Sequence, residues 1–250
     1  MATIRKLTHA PVVEALLDIR VHAAEGTTVE SIEQALSPQK FGYLRKGPIL
    51  RSRFGITVSP QETSLTQSEL NTAIVGVRMH SSDEKYVAQF TTEGFTLSRM
   101  EPYESWEGLV QEARRIWPEY TACVVPSSIH RVAARYINNL RLPIKAGERF
   151  RQYLVGLPEM PPEFPQAVFS FLQRFAVYDQ DSGATAILTQ ALESFSPGAP
   201  APVILDIDVF REMQFAPDSS EVWTYLDGLR RLKNRFFFGA LTDAAVELYL

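Results

Sequence analysis

Two aspartates separated by one residue form the clearest chemical pattern in the sequence. In the segment 205–209 (LDIDV), apolar and acidic residues alternate, which is typical of a β-strand. Successive side chains of a strand point to opposite faces, so Asp206 and Asp208 share one face of a sheet. Such a pair can chelate magnesium, share a proton or contact a ligand. It can also form ion pairs with Arg20, Arg135 or Arg141 on neighbouring strands, and this structural interpretation is the one that the pattern favours.

The segment 11–22 (PVVEALLDIRVH) raises the same question near the start of the sequence. Its alternation predicts a half-buried strand that carries Glu14, Asp18, Arg20 and His22 on one face. If this face and the aspartate face line one surface of a sheet, together they form a polar groove. If both face bulk water, they indicate no site.

Three consecutive phenylalanines, Phe236, Phe237 and Phe238, follow Arg235. No single face of a helix hides all three, so at least one must contact another element or another chain. Packing between the two halves of the chain is favoured over a partner interface. Phe236 and Phe237 are nevertheless candidate binding residues, together with Arg20, Arg135, Asp206 and Asp208.

Motifs for catalysis and for metal binding are absent from the sequence. It contains no GxGxxG, GxSxG, HExxH or CxxC pattern, and its four histidines lie far apart. Cys123 stands in the apolar segment TACVV, which favours a small buried residue over a nucleophile. We therefore name no catalytic residue, metal ligand or cofactor, and favour a protein that is not an enzyme.

The predicted elements follow the same order in both halves of the chain. The order is a strand, a short helix, several antiparallel strands and a long helix. In the first half the elements are a strand at 11–22, a helix opened by the capping pattern of Thr27 and Glu30, strands near 49–58, 70–80, 85–92 and 94–100, and a helix at 103–120. In the second half they are a strand at 129–142, a helix at 147–155, strands near 167–178, 184–193 and 202–210, and a helix at 219–237.

This order predicts an α+β fold with two tandem repeats, residues 1–125 and 126–250, packed as one unit. The arrangement is similar to that of TATA-binding-like and helix-grip folds, in which a long helix covers a curved antiparallel sheet. The first half has four strands in its antiparallel meander and the second has three. The amino-acid sequences of the two halves are not repeated, so the proposed duplication depends only on the order of the elements.

Composition limits the classes of partner. The 250 residues carry a formal net charge of −4, and this acidic balance argues against binding nucleic acid through a general basic field. No apolar run approaches the roughly 18 residues that a membrane span needs, and the first residues show no signal-peptide core. With a single cysteine, these features predict a cytoplasmic protein with no membrane partner.

Several segments together resemble a sporadically distributed bacterial family of conserved hypothetical proteins of about 250 residues. The segments are PVVEALLDIRV, AQFTTEGFTLSRMEPYESWEGLVQEARRIW, ARYIN, LDIDVF and WTYLDGLRRLKNRFFF. The resemblance covers nearly the whole chain. It implies a cytoplasmic accessory protein, with a patchy distribution that suggests defence or toxin–antitoxin loci, and it supplies no catalytic residue.

Three functions follow from these observations. The favoured one is a non-catalytic binding protein that holds a protein partner, or a second copy of itself, through its sheet face or its phenylalanine-rich end. The first alternative is a small-molecule binder or an enzyme with a pocket between the sheet and a long helix, with Arg20, Arg135, Asp206 and Asp208 as polar groups. The second is a nucleic-acid binder that uses the sheet as a saddle, which rests on fold analogy alone.

Overall fold

The computed structural model describes residues 2–36, 41–53, 56–57, 66–67, 71–144, 150–157, 161, 163–164, 168–192 and 198–250. Its strands are β1 (Val12–His22), β2 (Tyr43–Arg53), β3 (Ile56–Thr57), β4 (Thr66–Gln67), β5 (Asn71–Ser81), β6 (Tyr86–Thr91), β7 (Gly94–Met100), β8 (Ser128–Leu142), β9 (Phe171–Asp179), β10 (Ala184–Leu192) and β11 (Ala201–Phe215). Its helices are α1 (Val29–Ala35), α2 (Trp106–Val124), α3 (Glu221–Gly239) and α4 (Asp243–Glu247), with a 3-10 turn at Phe150–Gln152. The predicted α+β class is confirmed.

Nine strands form one antiparallel sheet in the order β2-β5-β6-β7-β1-β8-β11-β10-β9. The first strand of each half, β1 and β8, therefore pair in the centre of the sheet. The last strand of each half, β7 and β11, lies on the outer side of that pair. A separate ribbon is formed by the two short strands β3 and β4.

The long helices cover one face of this sheet. Helix α2 packs on β7 and β1, while α3 packs on β11, β8 and β10. The residues beneath them are apolar and fully buried, among them Leu17 and Ile19 of β1 and Ile207 of β11. Because side chains alternate along each strand, the residues between these point to the opposite face, which we call the open face. None of the helices in the described ranges is long and apolar enough to cross a membrane.

Several predicted boundaries differ from the observed ones. Helix α1 is capped by Thr28 and Ser31 and not by Thr27 and Glu30: the Ser31 amide donates to Thr28 Oγ1 at 3.2 Å and the Thr28 amide to Ser31 Oγ at 3.1 Å. Thr27 instead donates from Oγ1 to the Ala24 carbonyl at 2.8 Å and closes the preceding turn. The helix predicted at 147–155 is a 3-10 turn from residue 150 onward, and residues 145–149 lie outside the described ranges.

One lysine lies in the core between α3 and the sheet. The side chain of Lys233 is buried, and its Nζ lies 3.7 Å from the centre of the Tyr136 ring. Burial, with a smaller contribution from the charge of Arg230, lowers the pKa of Lys233 to about 7. The ring face of Tyr136 favours the charged amine, but burial has the larger effect.

This buried amine predicts a pH-dependent stability. Between pH 7 and about 10.5, Lys233 holds a proton in the unfolded chain that it has released in the folded chain, so this residue alone makes the free energy of unfolding rise with pH by about 1.4 kcal/mol per unit. Lys233→Met removes the cost of burying this charge. We therefore expect the variant to be more stable than the wild type below pH 7, with the difference shrinking as pH rises. Urea unfolding at a series of pH values measures the difference, and a constant difference would contradict the assignment.

Candidate functional site

The sheet register brings four of the predicted site residues together on the open face. Arg135 of β8 lies opposite Leu16 of β1 on one side and Asp208 of β11 on the other. Asp206 and Arg20 occupy positions of the same parity on the neighbouring strands, so their side chains share this face. The expectation that Asp206 and Asp208 point to one face agrees with this register.

A buried carboxylate on β1 anchors the cluster. Asp18 Oδ1 accepts hydrogen bonds from Arg20 Nε at 2.9 Å and from Arg131 Nη1 at 2.8 Å. Its Oδ2 accepts from Thr96 Oγ1 of β7 at 2.8 Å. Only 7% of the Asp18 side chain is accessible, so these donors replace the water that the carboxylate loses on folding.

A second ion pair lies one strand further on. Arg135 donates from Nε and Nη2 to the two carboxylate oxygens of Asp206, at 2.9 and 2.6 Å. This bidentate geometry is the strongest that arginine and a carboxylate form. Both partners are partly accessible to water, which weakens the contribution of the pair to stability.

Arg131 links Asp18 of β1 to Asp208 of β11 and was not identified from the sequence. While Nη1 binds Asp18, Nη2 lies 3.6 Å from Asp208 Oδ2, and the guanidinium stands 4.4 Å from the Phe210 ring centre. The spacing of Arg131 and Arg135 along one strand puts both on the same face. This spacing points to an ion-pair network only once the register shows that both neighbouring strands, β1 and β11, carry carboxylates on the same face.

Asp208 is the least neutralised carboxylate of this network. Burial raises its pKa, and the charges of Arg131 and Arg135 only partly counteract that rise. No grouping of three or more His, Cys, Asp or Glu suited to a metal ion occurs within the described ranges. The network is therefore an ion-pair ladder across β1, β8 and β11, in which each arginine already contacts a carboxylate.

The other candidate residues lie away from this ladder. Phe237 is buried near the end of α3 and packs edge-on against Phe238, with ring centres 5.1 Å apart, while Phe236 is half-buried against the core. Cys123 donates from Sγ to the Tyr120 carbonyl at 3.2 Å, and burial raises the pKa of its thiol to about 11. Both candidate phenylalanines therefore pack against the core.

Two cavities lie between α2 and α3, on the face opposite the ion-pair ladder. The larger, about 670 Å³, is lined by Trp106, Glu107, Val110, Gln111, Arg114, Asp227, Arg230, Arg231 and Asn234. The smaller, about 400 Å³, is lined by Trp117 and Trp223 at the opposite ends of the two helices. The four charged residues expected as polar groups of a pocket between the sheet and a helix lie on the opposite face and line neither cavity. We call the larger cavity the interhelix trough.

Strand β9, at the outer edge of the sheet, carries more exposed large apolar side chains than any other described element. The accessible fractions are 75% for Leu172, 45% for Phe175, 41% for Val177 and 64% for Tyr178. These residues lie on both faces of a nine-residue strand that pairs with β10 without any register shift. We call this strand edge and these four side chains the β9 surface, which no feature of the sequence had identified.

The opposite edge of the sheet is built differently. Strand β2 contains Pro48, which has no amide hydrogen to offer to an incoming strand, and its pairing with β5 is interrupted by two register shifts. Prolines and bulges are the means by which proteins block edge strands from pairing with other chains. Strand β9 has neither. Among the described residues, the sheet is therefore protected at its β2 edge, and no strand pairs with its β9 edge.

The ladder predicts unequal costs for two conservative substitutions. Asp18→Asn leaves the guanidiniums of Arg20 and Arg131 without a buried countercharge, and we expect a loss of about 3 kcal/mol in the free energy of unfolding. Asp206→Asn weakens a more accessible pair, and we expect a loss of about 1 kcal/mol or less. Urea denaturation followed by circular dichroism measures both values. Equal losses would show that the network is not anchored at Asp18.

Comparison with known proteins adds no relative. No protein-family model matches the sequence, and no curated protein matches it significantly. The resemblance noted from the sequence therefore stays a prediction, and the roles of the site residues rest on their contacts.

Proposed function

We propose that the chain is a non-catalytic binding protein that docks another polypeptide at the β9 surface. The observation that carries this proposal is the open strand edge with apolar side chains on both of its faces. Exposed apolar surface of this kind marks interaction sites, because leaving it in water is unfavourable. An exposed edge also offers unpaired backbone groups to an incoming strand, so the docking mode is strand addition.

The remaining features fit a binding role better than a catalytic one. Three of the arginines on the open face, Arg20, Arg131 and Arg135, already contact carboxylates, which weakens the nucleic-acid alternative. The tandem arrangement is supported by the central pairing of β1 with β8, each flanked by the last strand of its own half. Under this proposal residues 1–125 and 126–250 are two repeats of a TATA-binding-like unit. Membership of the bacterial accessory family is part of the same proposal.

A synthetic peptide tests the docking surface. We expect a labelled peptide with the sequence of residues 169–180 (FSFLQRFAVYDQ), flanked by lysines for solubility, to bind the protein by adding a strand to β9. Leu172→Lys places a charge in that interface and should weaken binding at least about tenfold. Fluorescence anisotropy of the peptide measures both affinities.

Leu50→Lys is the matched control for this experiment. Leu50 is a comparably exposed leucine on the protected edge strand β2, with an accessible fraction of 60%. We expect this variant to bind the peptide like the wild type. Equal weakening by both substitutions, or no binding by the wild type, would contradict docking at β9.

A second candidate function is the binding of a small anion in the interhelix trough. Arg114 and Arg231 line the larger cavity and form no ion pair with the residues that the structure describes. The acidic groups there are engaged, since Glu107 accepts from Arg230 at 3.0 Å and Asp227 accepts from the Trp106 indole. A volume of about 670 Å³ lies within the range of small-molecule sites.

Tryptophan fluorescence tests this candidate, because Trp106 lines the cavity and Trp223 stacks under Arg114 at 4.9 Å. Inorganic pyrophosphate is a suitable probe, since guanidinium pairs bind phosphate oxygens well. We expect a saturable change in fluorescence whose midpoint rises at least about tenfold in the double variant Arg114→Gln/Arg231→Gln. Arg235→Gln, on the same helix but outside the cavity, is the control. An identical response in all three proteins would exclude the site.

A further inference from the structure

We propose that the polypeptide docked at the β9 surface is a second copy of the same chain, with the two β9 strands paired antiparallel about Phe175. This inference rests on the proposed function and specifies its partner. The two sheets then continue into each other as one sheet of eighteen strands, with the long helices of both copies on the same side. The pairing is related by a twofold axis perpendicular to the sheet, so both copies use the same surface.

The sequence of β9 is complementary to itself in this register. The cross-strand pairs are Phe171 with Asp179, Leu172 with Tyr178, Gln173 with Val177, Arg174 with Ala176, and Phe175 with its own copy. The two members of every pair lie on the same face of the joined sheet. Side chains on the helix-covered face of one copy therefore contact side chains on the helix-covered face of the other. The exposed residues Leu172 and Tyr178 therefore become neighbours on the open face, where aliphatic–aromatic pairs stabilise a sheet.

Neighbouring registers are less favourable. Sliding the strands by two residues in one direction places Arg174 opposite its own copy, where two like charges repel. Sliding them by two residues in the other direction leaves Leu172 beyond the end of the paired segment. A one-residue slip would put the helix face of one copy against the open face of the other. The register centred on Phe175 is thus the one that uses all four exposed apolar side chains.

The contacts within each chain explain why these side chains lack neighbours in a single copy. Leu172 and Tyr178 lie opposite the small residues Ala191 and Thr185 of β10. On the other face, α3 packs on β8, β11 and β10 and reaches β9 at Asp179, which pairs with Arg235 at 3.6 Å. Phe175 and Val177 stay 45% and 41% accessible on that face. A second β9 strand supplies the missing neighbours on both faces.

The protected edge at β2 explains why such an assembly stops at two copies. A sheet with two open edges would add chains without limit, whereas pairing β9 with β9 consumes the open edge of both copies. Pro48 and the two register shifts of β2 then lie at the outer ends of the joined sheet. This favours a second copy over an unrelated strand, because one self-complementary edge and one blocked edge define a closed dimer.

A charge exchange tests the register. In one chain, positions 172 and 178 are about 20 Å apart along the strand, so they cannot interact within one copy. We expect Leu172→Glu and Tyr178→Lys each to raise the dimer dissociation constant at least about tenfold. The double variant Leu172→Glu/Tyr178→Lys should recover most of this loss, because each glutamate then faces a lysine of the other copy. Leu50→Glu on β2 is the matched control and should dimerise like the wild type.

Light scattering during size-exclusion chromatography measures the mass over a wide concentration range, against a monomer mass of 28.2 kDa. A concentration-dependent mass that approaches twice this value, lost in the single variants and recovered in the double variant, supports the proposal. A wild type that stays monomeric, single variants that dimerise normally, or a double variant no better than the singles would each overturn it.

The peptide experiment separates this inference from the proposed function. A dimer competes with the peptide for the same edge, so peptide binding is measured at protein concentrations too low for the dimer to form. A monomeric chain that still binds the β9 peptide, with the loss in Leu172→Lys, would overturn the self-association and leave docking at β9 intact. A monomeric chain that does not bind the peptide would overturn both.

Discussion

The pairing of β1 with β8 is the constraint on which the rest of this structure depends. It joins the first strand of each half along nearly their whole common length, with four strands on one side of the pair and three on the other. It also places α2 and α3 side by side on one face, and so creates the trough between them. On the opposite face the same pairing brings Arg131 of β8 within 2.8 Å of the buried carboxylate of Asp18.

Local sequence patterns predicted much of this fold but not its assembly. Alternation predicted β1 and β11, and the aromatic spacing predicted α2, because strand and helix periodicities are local properties. The shared face of Asp206 and Asp208 followed from the same alternation. The role of Arg131 did not, because it depends on which strands are neighbours and in what register. That information arises from the contacts of Arg131 with Asp18 and Asp208, which are 113 and 77 residues away in the sequence.

The β9 surface was missed for a related reason. In the sequence, Leu172, Phe175, Val177 and Tyr178 are ordinary strand residues, and only the sheet order shows that β9 lies at an edge. The capping of α1 shows the limit of local motifs as well. Thr27 and Thr28 are both suitable capping residues, and the hydrogen bond from Thr27 to Ala24 decides between them.

The central position of β1 also has a consequence for the order in which the chain folds. Ribosomes deliver the chain from its N-terminus, so β1 through α2 are complete before residues 128–142 emerge. During that interval one edge of β1 has no partner, and Asp18 lacks the Arg131 guanidinium. Contacts of such long sequence separation form slowly, since the intervening loop must close first. The nascent first half therefore exposes the unpaired edge of β1, which is prone to aggregation until the second half covers it. Chaperones would be of most use during this interval.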